Sequence, residues 1–183
     1  MSSRAALFLD RDGVINVDRA YVHRVDEFAW IPGVFDTVGA AGRLGLAVIV
    51  VTNQAGIARG YYSEDDFRTL TDWMKAEFAA AGAPLAAVYY CPYHPEGLPP
   101  YNTHSPMRKP QPGMLLQAAS DHALDLRRSL LIGDQESDIA AGRAAGLMRT
   151  ALFAPEGPRP TQADVVLSSH AEACRWLSEV RDE

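Results

Sequence analysis

Short, continuous apolar runs that alternate with helical patterns constrain the fold of this chain more than any other feature. The strongest run, LAVIVV at residues 46–51, is rich in β-branched side chains and stops at Thr52-Asn53. Similar runs occupy residues 5–9, 85–90 and 130–132, and weaker ones occupy 150–153 and 165–167. Runs of this length are typical of strands that are buried on both faces, as in a parallel sheet.

Helical patterns fill the intervals at residues 33–44, 63–81, 113–122, 137–145 and 171–180. In the second interval, apolar side chains recur on one side of the helix, and Ser63 is a suitable N-cap. Alternating strands and helices predict an α/β fold with a doubly wound parallel sheet. We expect one domain over residues 1–183, since this length suffices for a single full core.

Composition and charge disfavour several classes of protein. The formal net charge of -6 disfavours a nucleic-acid binder, because phosphate backbones attract basic surfaces. No apolar stretch approaches the roughly 18 residues that a membrane span needs, and the N-terminal residues do not read as a signal peptide. With Cys91 and Cys174 as its two cysteines, the chain fits a reducing cytoplasm. A monomer is the simplest expectation.

Polar residues follow the apolar runs where a doubly wound sheet binds its ligands, beyond the carboxyl ends of the strands. They are Asp10 and Asp12 after the first run, Thr52 and Asn53 after the second, Asp134 and Asp138 after the fourth, and Arg108-Lys109 before the third helix. Alone, each signal is weak: a DxD is usually a solvated turn, and a GDxxxD is often a helix cap. Their joint occurrence in this order favours a single site.

The chemistry of these groups is that of phosphoryl transfer. Asp10 and Asp12 repel each other unless a cation lies between them or one holds a proton. With Asp134 they offer the oxygen-rich surroundings that Mg²⁺ prefers. Thr52 and Lys109 can bind phosphate oxygens, and one carboxylate remains available for attack.

Four segments, FLDRDGVIN, VTNQ, RKPQPGM and GDQESDIAAG, resemble the four motifs of the haloacid dehalogenase-like (HAD) superfamily, in its DxD phosphatase branch. The match spans residues 7–146 and leaves no room for a large cap domain. More narrowly, VTNQAGIARGYYSEDDF and CPYHPEG resemble the D-glycero-D-manno-heptose 1,7-bisphosphate 7-phosphatases. The resemblance implies removal of the 7-phosphate from a sugar bisphosphate during synthesis of ADP- or GDP-heptose for lipopolysaccharide or other bacterial surface glycans.

The resemblance also implies residue roles. Asp10 is the expected nucleophile that forms an aspartyl-phosphate, and Asp12 is the general acid and base. Mg²⁺ would be held by Asp10, by the backbone carbonyl of Asp12 and by Asp134, and Asp138 would steady the metal loop. The remaining expected contacts to phosphate or sugar come from Thr52, Asn53 and Lys109 at the transferred group and from Arg108, Gln54 and Arg59 at the rest of the substrate. Gln135 departs from the lysine that is common at this position in the heptose phosphatases.

Several alternatives stay open at this point. Histidinol phosphate or another sugar phosphate could be the substrate, although the histidinol phosphatases usually lack GIARGYY. A non-catalytic phospho-acceptor similar to a receiver domain would have no need for Asp12 as an acid. A polynucleotide end-phosphatase is disfavoured by the acidic charge. The preferred anomer of the heptose bisphosphate is undetermined.

The loop CPYHPEGLPPYNTHSPMRKPQPG at residues 91–113 resembles a zinc loop that has lost most of its ligands. Zinc-bearing relatives follow the pattern C-P-H-H-P…C-x-C-R-K-P. This chain keeps Cys91 but has Tyr93, Ser105 and Met107 at the other three positions, and these bind Zn²⁺ poorly. Adding His94 and His104 to Cys91 still gives too few ligands for a closed site. We therefore expect no zinc, and a loop that is held by packing and by its prolines.

Overall fold

The computed structural model describes residues 4–182, so residues 1–3 and 183 of the predicted 1–183 domain lie outside the described part. Six parallel strands form one sheet in the order β3-β2-β1-β4-β5-β6. The strands are β1 (Ala6–Leu9), β2 (Ala47–Asn53), β3 (Ala87–Cys91), β4 (Leu130–Gly133), β5 (Arg149–Phe153) and β6 (Val165–Leu167). The order reverses at β1, which confirms the predicted doubly wound parallel sheet.

Six α-helices accompany the sheet: α1 (Val34–Arg43), α2 (Ala55–Ala58), α3 (Glu64–Ala80), α4 (Gly113–His122), α5 (Glu136–Ala145) and α6 (His170–Asp182). Short 3₁₀ turns lie at Val25–Glu27 and Leu126–Arg128. Five helices match the predicted intervals to within a few residues. Helix α2 was not predicted, because four residues are too few to show a helical period.

The core has two layers because alternate residues of a buried strand point to opposite faces of the sheet. Leu7 and Leu9 face one layer, which α1, α3 and α6 cover, while Ala6 and Phe8 face the other, which α4 and α5 cover. This two-sided burial explains why the strand sequences are apolar throughout rather than alternating. Among the described residues there is no large cap domain, as expected.

The ends of α3 and α5 are stabilised by capping residues that are typical of helix ends. Ser63 caps α3 in a capping box, in which its Oγ accepts from the Asp66 backbone at 3.1 Å and Asp66 accepts from the Ser63 backbone at 2.8 Å. Gly146 ends α5 with a φ of 78°. The N-cap of α5 is Gln135, and its backbone N–H donates to Asp138 Oδ2 at 2.9 Å.

Residues 16–30 form a flap between β1 and α1. Asn16 bridges to Asp12 and to Trp30, so the base of the flap is closed by backbone pairing. Two consecutive non-glycine residues, Ala20 and Tyr21, have φ values of 57° and 61° at its tip. Across residues 4–182, no helix has both the length and the apolar character that crossing a membrane requires.

Candidate active site

A buried lysine lies at the carboxyl edge of the sheet. Lys109, 4% exposed, places its Nζ 2.9 Å from Asp10 Oδ1 and 2.5 Å from Asp138 Oδ1. The same nitrogen donates to the Val51 carbonyl at 2.8 Å. Asp10 Oδ1 also accepts from the Arg11 backbone N–H at 2.8 Å. The structure thus brings the expected nucleophile and the expected phosphate-binding lysine into direct contact.

Three carboxylates meet at this edge. Asp10, Asp134 and Asp138 each offer an oxygen, and these oxygens all lie within 4.8 Å of one another. Glycines make the approach possible: a Cβ on Gly13 would lie 2.2 Å from Asp134 Oδ2, and one on Gly133 would lie 2.2 Å from Asp138 Cβ. Gly13 also needs its φ of 83°, which other residues rarely adopt.

Burial and mutual repulsion raise the pKa values of Asp10 and Asp134. Burial, followed by the charge of Asp138, raises the pKa of Asp10 well above its usual range, although Lys109 acts in the opposite direction. The same two causes raise the pKa of Asp134 to about 6. Burial alone would lower the pKa of Lys109, but the charges of Asp10 and Asp138 outweigh burial and raise it. The carboxylates of Asp10 and Asp138 therefore favour the ionised form of Lys109.

The residues present fit a divalent cation. Three carboxylates face one ammonium group, which leaves an excess of two negative charges when all are ionised. Asp134 Oδ1 is buried and has no hydrogen-bond partner in the protein, which is costly unless another ligand binds it. An all-oxygen donor set of this charge suits Mg²⁺. Asp138 is already engaged by Lys109 and by the Gln135 backbone, in keeping with a steadying role.

Two polar residues at the end of β2 have partners within the site. Both amide atoms of Asn53 bind the backbone of Lys109, its Nδ2 donating to the carbonyl at 3.0 Å and its Oδ1 accepting from the N–H at 3.0 Å. Thr52 Oγ1 accepts from Gln54 Nε2 at 2.8 Å. Gln54 Oε1 accepts from the Tyr62 hydroxyl at 2.5 Å. Asn53 thus positions Lys109, a contact that the order of the motifs did not reveal.

Asp12 lies in different surroundings from Asp10. Its Oδ1 accepts from Arg11 Nη2 at 2.9 Å and from Asn16 Nδ2 at 3.0 Å. Its Oδ2 accepts from Arg11 Nε at 3.2 Å and from Gln54 Nε2 at 3.2 Å. The side chain keeps 21% exposure and lines the cleft. Arg11 and Asn16 were not among the predicted site residues, and no sequence signal beyond adjacency to the DxD acids marks them.

The cleft above these groups has a volume of about 350 Å³. Its walls include every expected residue of the phosphate and metal groups, with the flap contributing Asp18, Ala20 and Tyr21. Arg108 also lines it, and its guanidinium donates to the Tyr93 carbonyl at 3.5 Å. Arg59 lies outside this lining. Burial is the main cause that lowers the pKa of Arg108 and of His94, and the positive charge of Arg59 acts in the same direction on both.

The loop from Cys91 to Arg108 packs against α2 and on itself. Leu98 donates to the Ala58 carbonyl at 2.6 Å, and the rings of Tyr93 and Tyr101 lie 5.8 Å apart. Cys91 is buried, and burial raises the pKa of its thiol. His94 Nδ1 accepts from the Glu96 backbone at 3.1 Å, so that nitrogen is engaged within the loop.

Comparison with known proteins agrees with this geometry. A family profile described as HAD-hydrolase-like matches residues 106–168. The D-glycero-α-D-manno-heptose-1,7-bisphosphate 7-phosphatase of Burkholderia mallei is 59% identical over 149 residues, 81% of this chain and 79% of its own. The β-anomer enzyme of Pasteurella multocida is 42% identical over 173 residues, 92% of this chain and 94% of its own.

Two solved structures share the fold. A HAD-like phosphatase from Mesorhizobium loti superimposes with a TM-score of 0.88 at 38% identity, covering 98% of this chain and 87% of its own. The D,D-heptose 1,7-bisphosphate phosphatase of B. bronchiseptica, determined with magnesium and phosphate, gives 0.82 at 28% identity, covering 96% and 98%.

The fold and the site define a phosphoric monoester hydrolase of the HAD type, a class that uses Mg²⁺. The extent of the identity then gives the particular family. The chain belongs to the HAD superfamily, in the same family as these heptose bisphosphate phosphatases.

The raised pKa of Asp134 predicts how the metal-free protein responds to pH. The folded state holds this proton more tightly than the unfolded chain, so the free energy of unfolding falls as pH rises from about 4 to about 6. The substitution Asp134→Asn removes this titrating carboxyl group. Relative to wild type, the variant should gain about 2 kcal/mol of stability across that range, as measured by chemical denaturation in EDTA.

Asp121→Asn provides a control of opposite sign. Hydrogen bonds from Tyr89 and Gln117 lower the pKa of exposed Asp121, so that variant should lose stability relative to wild type as pH rises. Added Mg²⁺ should stabilise wild type more than Asp134→Asn. Parallel stability curves for wild type and Asp134→Asn would contradict the prediction.

Proposed function

We propose that this enzyme removes the 7-phosphate of D-glycero-α-D-manno-heptose 1,7-bisphosphate through an aspartyl-phosphate intermediate. The observation that carries the chemistry is the contact of Asp10 with buried Lys109 beside a cluster of acids in an open cleft. The 59% identity to an α-anomer enzyme, against 42% to a β-anomer enzyme, supports the choice of anomer.

The first half of the reaction transfers the phosphoryl group to the enzyme. Lys109 and the Arg11 backbone both bind Asp10 Oδ1, which leaves Oδ2 as the attacking oxygen. As the new bond from Asp10 to phosphorus forms, the bond from phosphorus to the sugar oxygen breaks. Asp12 gives its proton to that leaving oxygen, and the dephosphorylated sugar departs.

The second half releases phosphate. Asp12, now deprotonated, takes a proton from a water molecule that attacks phosphorus, and the bond from phosphorus to Asp10 breaks. Thr52 binds a phosphoryl oxygen, and the nearby positive charge of Lys109, whose N–H groups bind Asp10, Asp138 and Val51, stabilises the phosphoryl group electrostatically. Asp10, Asp134 and the Asp12 carbonyl would hold Mg²⁺, and the ion would supply positive charge that offsets the negative charge of the phosphoryl oxygens.

The remaining phosphate and sugar lie towards the mouth of the cleft. Arg108 is half-buried there, and its planar guanidinium suits the second phosphate. Gln54 already binds Asp12 and Thr52, so it serves the substrate by orienting them as well as by contact. As part of the same proposal, the enzyme acts in the cytoplasm as a monomer, on a small sugar phosphate rather than on nucleic acid or at a membrane.

Steady-state kinetics on both heptose anomers and on histidinol phosphate tests the substrate. We expect the highest kcat/KM for the α-anomer, a lower value for the β-anomer and little turnover of histidinol phosphate, which lacks a second phosphate for Arg108. A kcat/KM for histidinol phosphate equal to that for either heptose would overturn the substrate assignment while leaving the reaction class intact.

Asp10→Asn should abolish turnover, because the amide cannot form the aspartyl-phosphate. The near-isosteric change should leave the fold intact, as checked by circular dichroism. Phosphatase activity above a tenth of wild type would exclude Asp10 as the nucleophile. Asp65→Asn, an exposed acid that pairs with Arg68 on α3, is the matched control and should retain full activity.

We further propose that residues 91–109 form a loop without zinc. The contacts of Leu98 with α2 and of Tyr93 with Tyr101 support this. After dialysis against a weak chelator, elemental analysis should find far less than one zinc per chain. The triple variant Tyr93→His, Ser105→Cys, Met107→Cys restores the zinc pattern and is the positive control. Near one equivalent of zinc in wild type would refute the proposal.

A further inference from the structure

Arg11 is a buried charged side chain for which the reaction described above has no use. It is 1% exposed and is among the largest fully buried side chains of the described residues. A guanidinium group is seldom buried so completely unless its partners require it. Its contacts therefore indicate what it does.

The guanidinium joins the general acid to the flap through one nitrogen. Nη2 donates both to Asp12 Oδ1 at 2.9 Å and to the Val22 carbonyl at 2.6 Å. Nε completes a fork on the carboxylate, 3.2 Å from Asp12 Oδ2. On its other side, the guanidinium carbon lies 5.9 Å from the centre of the Phe67 ring of α3, a cation–π contact.

The flap end of this link is a strained turn that lines the cleft. Ala20 and Tyr21 both have positive φ, which costs free energy in residues other than glycine, and they immediately precede Val22. Both belong to the cleft wall, and the Tyr21 ring packs edge-on against Tyr61 at 4.7 Å. Such a turn persists when its surroundings hold it, and the bond to Val22 is one such restraint.

We propose that Arg11 is a positioning residue that couples closure of the flap over the cleft to the orientation of Asp12. With the flap in place, Val22 fixes the guanidinium, and the planar fork then holds both oxygens of Asp12. When the flap moves away from the cleft, the buried Nη2 of Arg11 loses the Val22 carbonyl as an acceptor. The guanidinium then no longer holds both oxygens of Asp12 in a fixed orientation. Lysine cannot replace it, because a single ammonium cannot fork onto a carboxylate and also reach Val22.

The leaving group of the substrate separates this role from a general one in folding. The ratio kcat/KM covers the steps through cleavage of the phosphorus–oxygen bond. An alkyl phosphate needs a proton from Asp12 at that step, whereas 2,4-dinitrophenyl phosphate has a leaving group stable as an anion. For Arg11→Lys we expect kcat/KM to fall about 30-fold or more with the alkyl phosphate and less than about threefold with the aryl phosphate. Equal losses with both substrates would overturn the proposal.

Arg24→Gln is the matched control. Arg24 lies in the same flap, but it is exposed and pairs with Asp26, away from the acid. This variant should leave kcat/KM unchanged with both substrates. A selective loss with the alkyl phosphate in Arg24→Gln would show that any perturbation of the flap has this effect, and would overturn a specific role for Arg11.

Hydrogen exchange tests the link in the opposite direction, because coupling between two positions is reciprocal. Asp12→Asn replaces one acceptor oxygen with a donor that faces the guanidinium. The amides of residues 17–24 should then exchange several-fold faster, and Arg11→Lys should add little to that increase in the double variant. Unchanged exchange in Asp12→Asn would refute the coupling. This measurement remains valid if Arg11→Lys alone does not fold.

The inference rests on the proposed phosphatase chemistry but not on the heptose substrate. Wild-type enzyme that hydrolyses no phosphate monoester would refute the proposed function. Wild-type enzyme that is active, with equal losses for both leaving groups in Arg11→Lys, would refute the role of Arg11 alone.

Discussion

The geometry of the site depends on one buried ammonium group. The Lys109 nitrogen has three partners, the carboxylates of Asp10 and Asp138 and the carbonyl of Val51, which belong to the end of β1, the start of α5 and β2. Burying either carboxylate or the ammonium alone would be costly, so each is stabilised by the presence of the others. Three elements that are distant in sequence are thereby held in one arrangement, and the remaining excess of negative charge is what a divalent cation would neutralise.

Lys109 itself is carried by a loop, so its position has to be fixed by contacts outside regular secondary structure. The Asn53 side chain accepts from the Lys109 backbone N–H and donates to the Lys109 backbone carbonyl. This pair of hydrogen bonds is similar to the pairing of two strands. The preceding loop docks on α2 through Leu98, and the first residue of α4, Gly113, donates to the Pro106 carbonyl at 2.9 Å. Direct hydrogen bonds therefore join the VTNQ and RKP segments, although Asn53 and Lys109 are 56 residues apart in the chain.

The sequence predicts the strands well because a doubly wound sheet buries both faces, and continuous apolar runs report that burial directly. It also predicts which residues converge, since carboxyl ends of parallel strands share one edge. It does not predict which hydrogen bonds the convergent residues form with one another. The pairing of Asn53 with Lys109, and the fork of Arg11 on Asp12, depend on side-chain positions that no local pattern specifies. Arg11 in particular contradicts the composition rule that arginine stays exposed, and α2 is too short for periodicity to reveal.

The two acids of the DxD pair lie in opposite surroundings although they are two residues apart. Asp10 faces other carboxylates and is balanced by Lys109, whereas Asp12 accepts hydrogen bonds from Arg11, Asn16 and Gln54. The chain achieves this by leaving β1 at Asp10 and turning sharply at Gly13. The same glycine, lacking a Cβ, admits Asp134 to the side of Asp10, where a methyl group would lie 2.2 Å from its Oδ2. Gly13 therefore lets Asp134 close the acidic cluster around Asp10, whereas Asp12 lies apart from that cluster among hydrogen-bond donors.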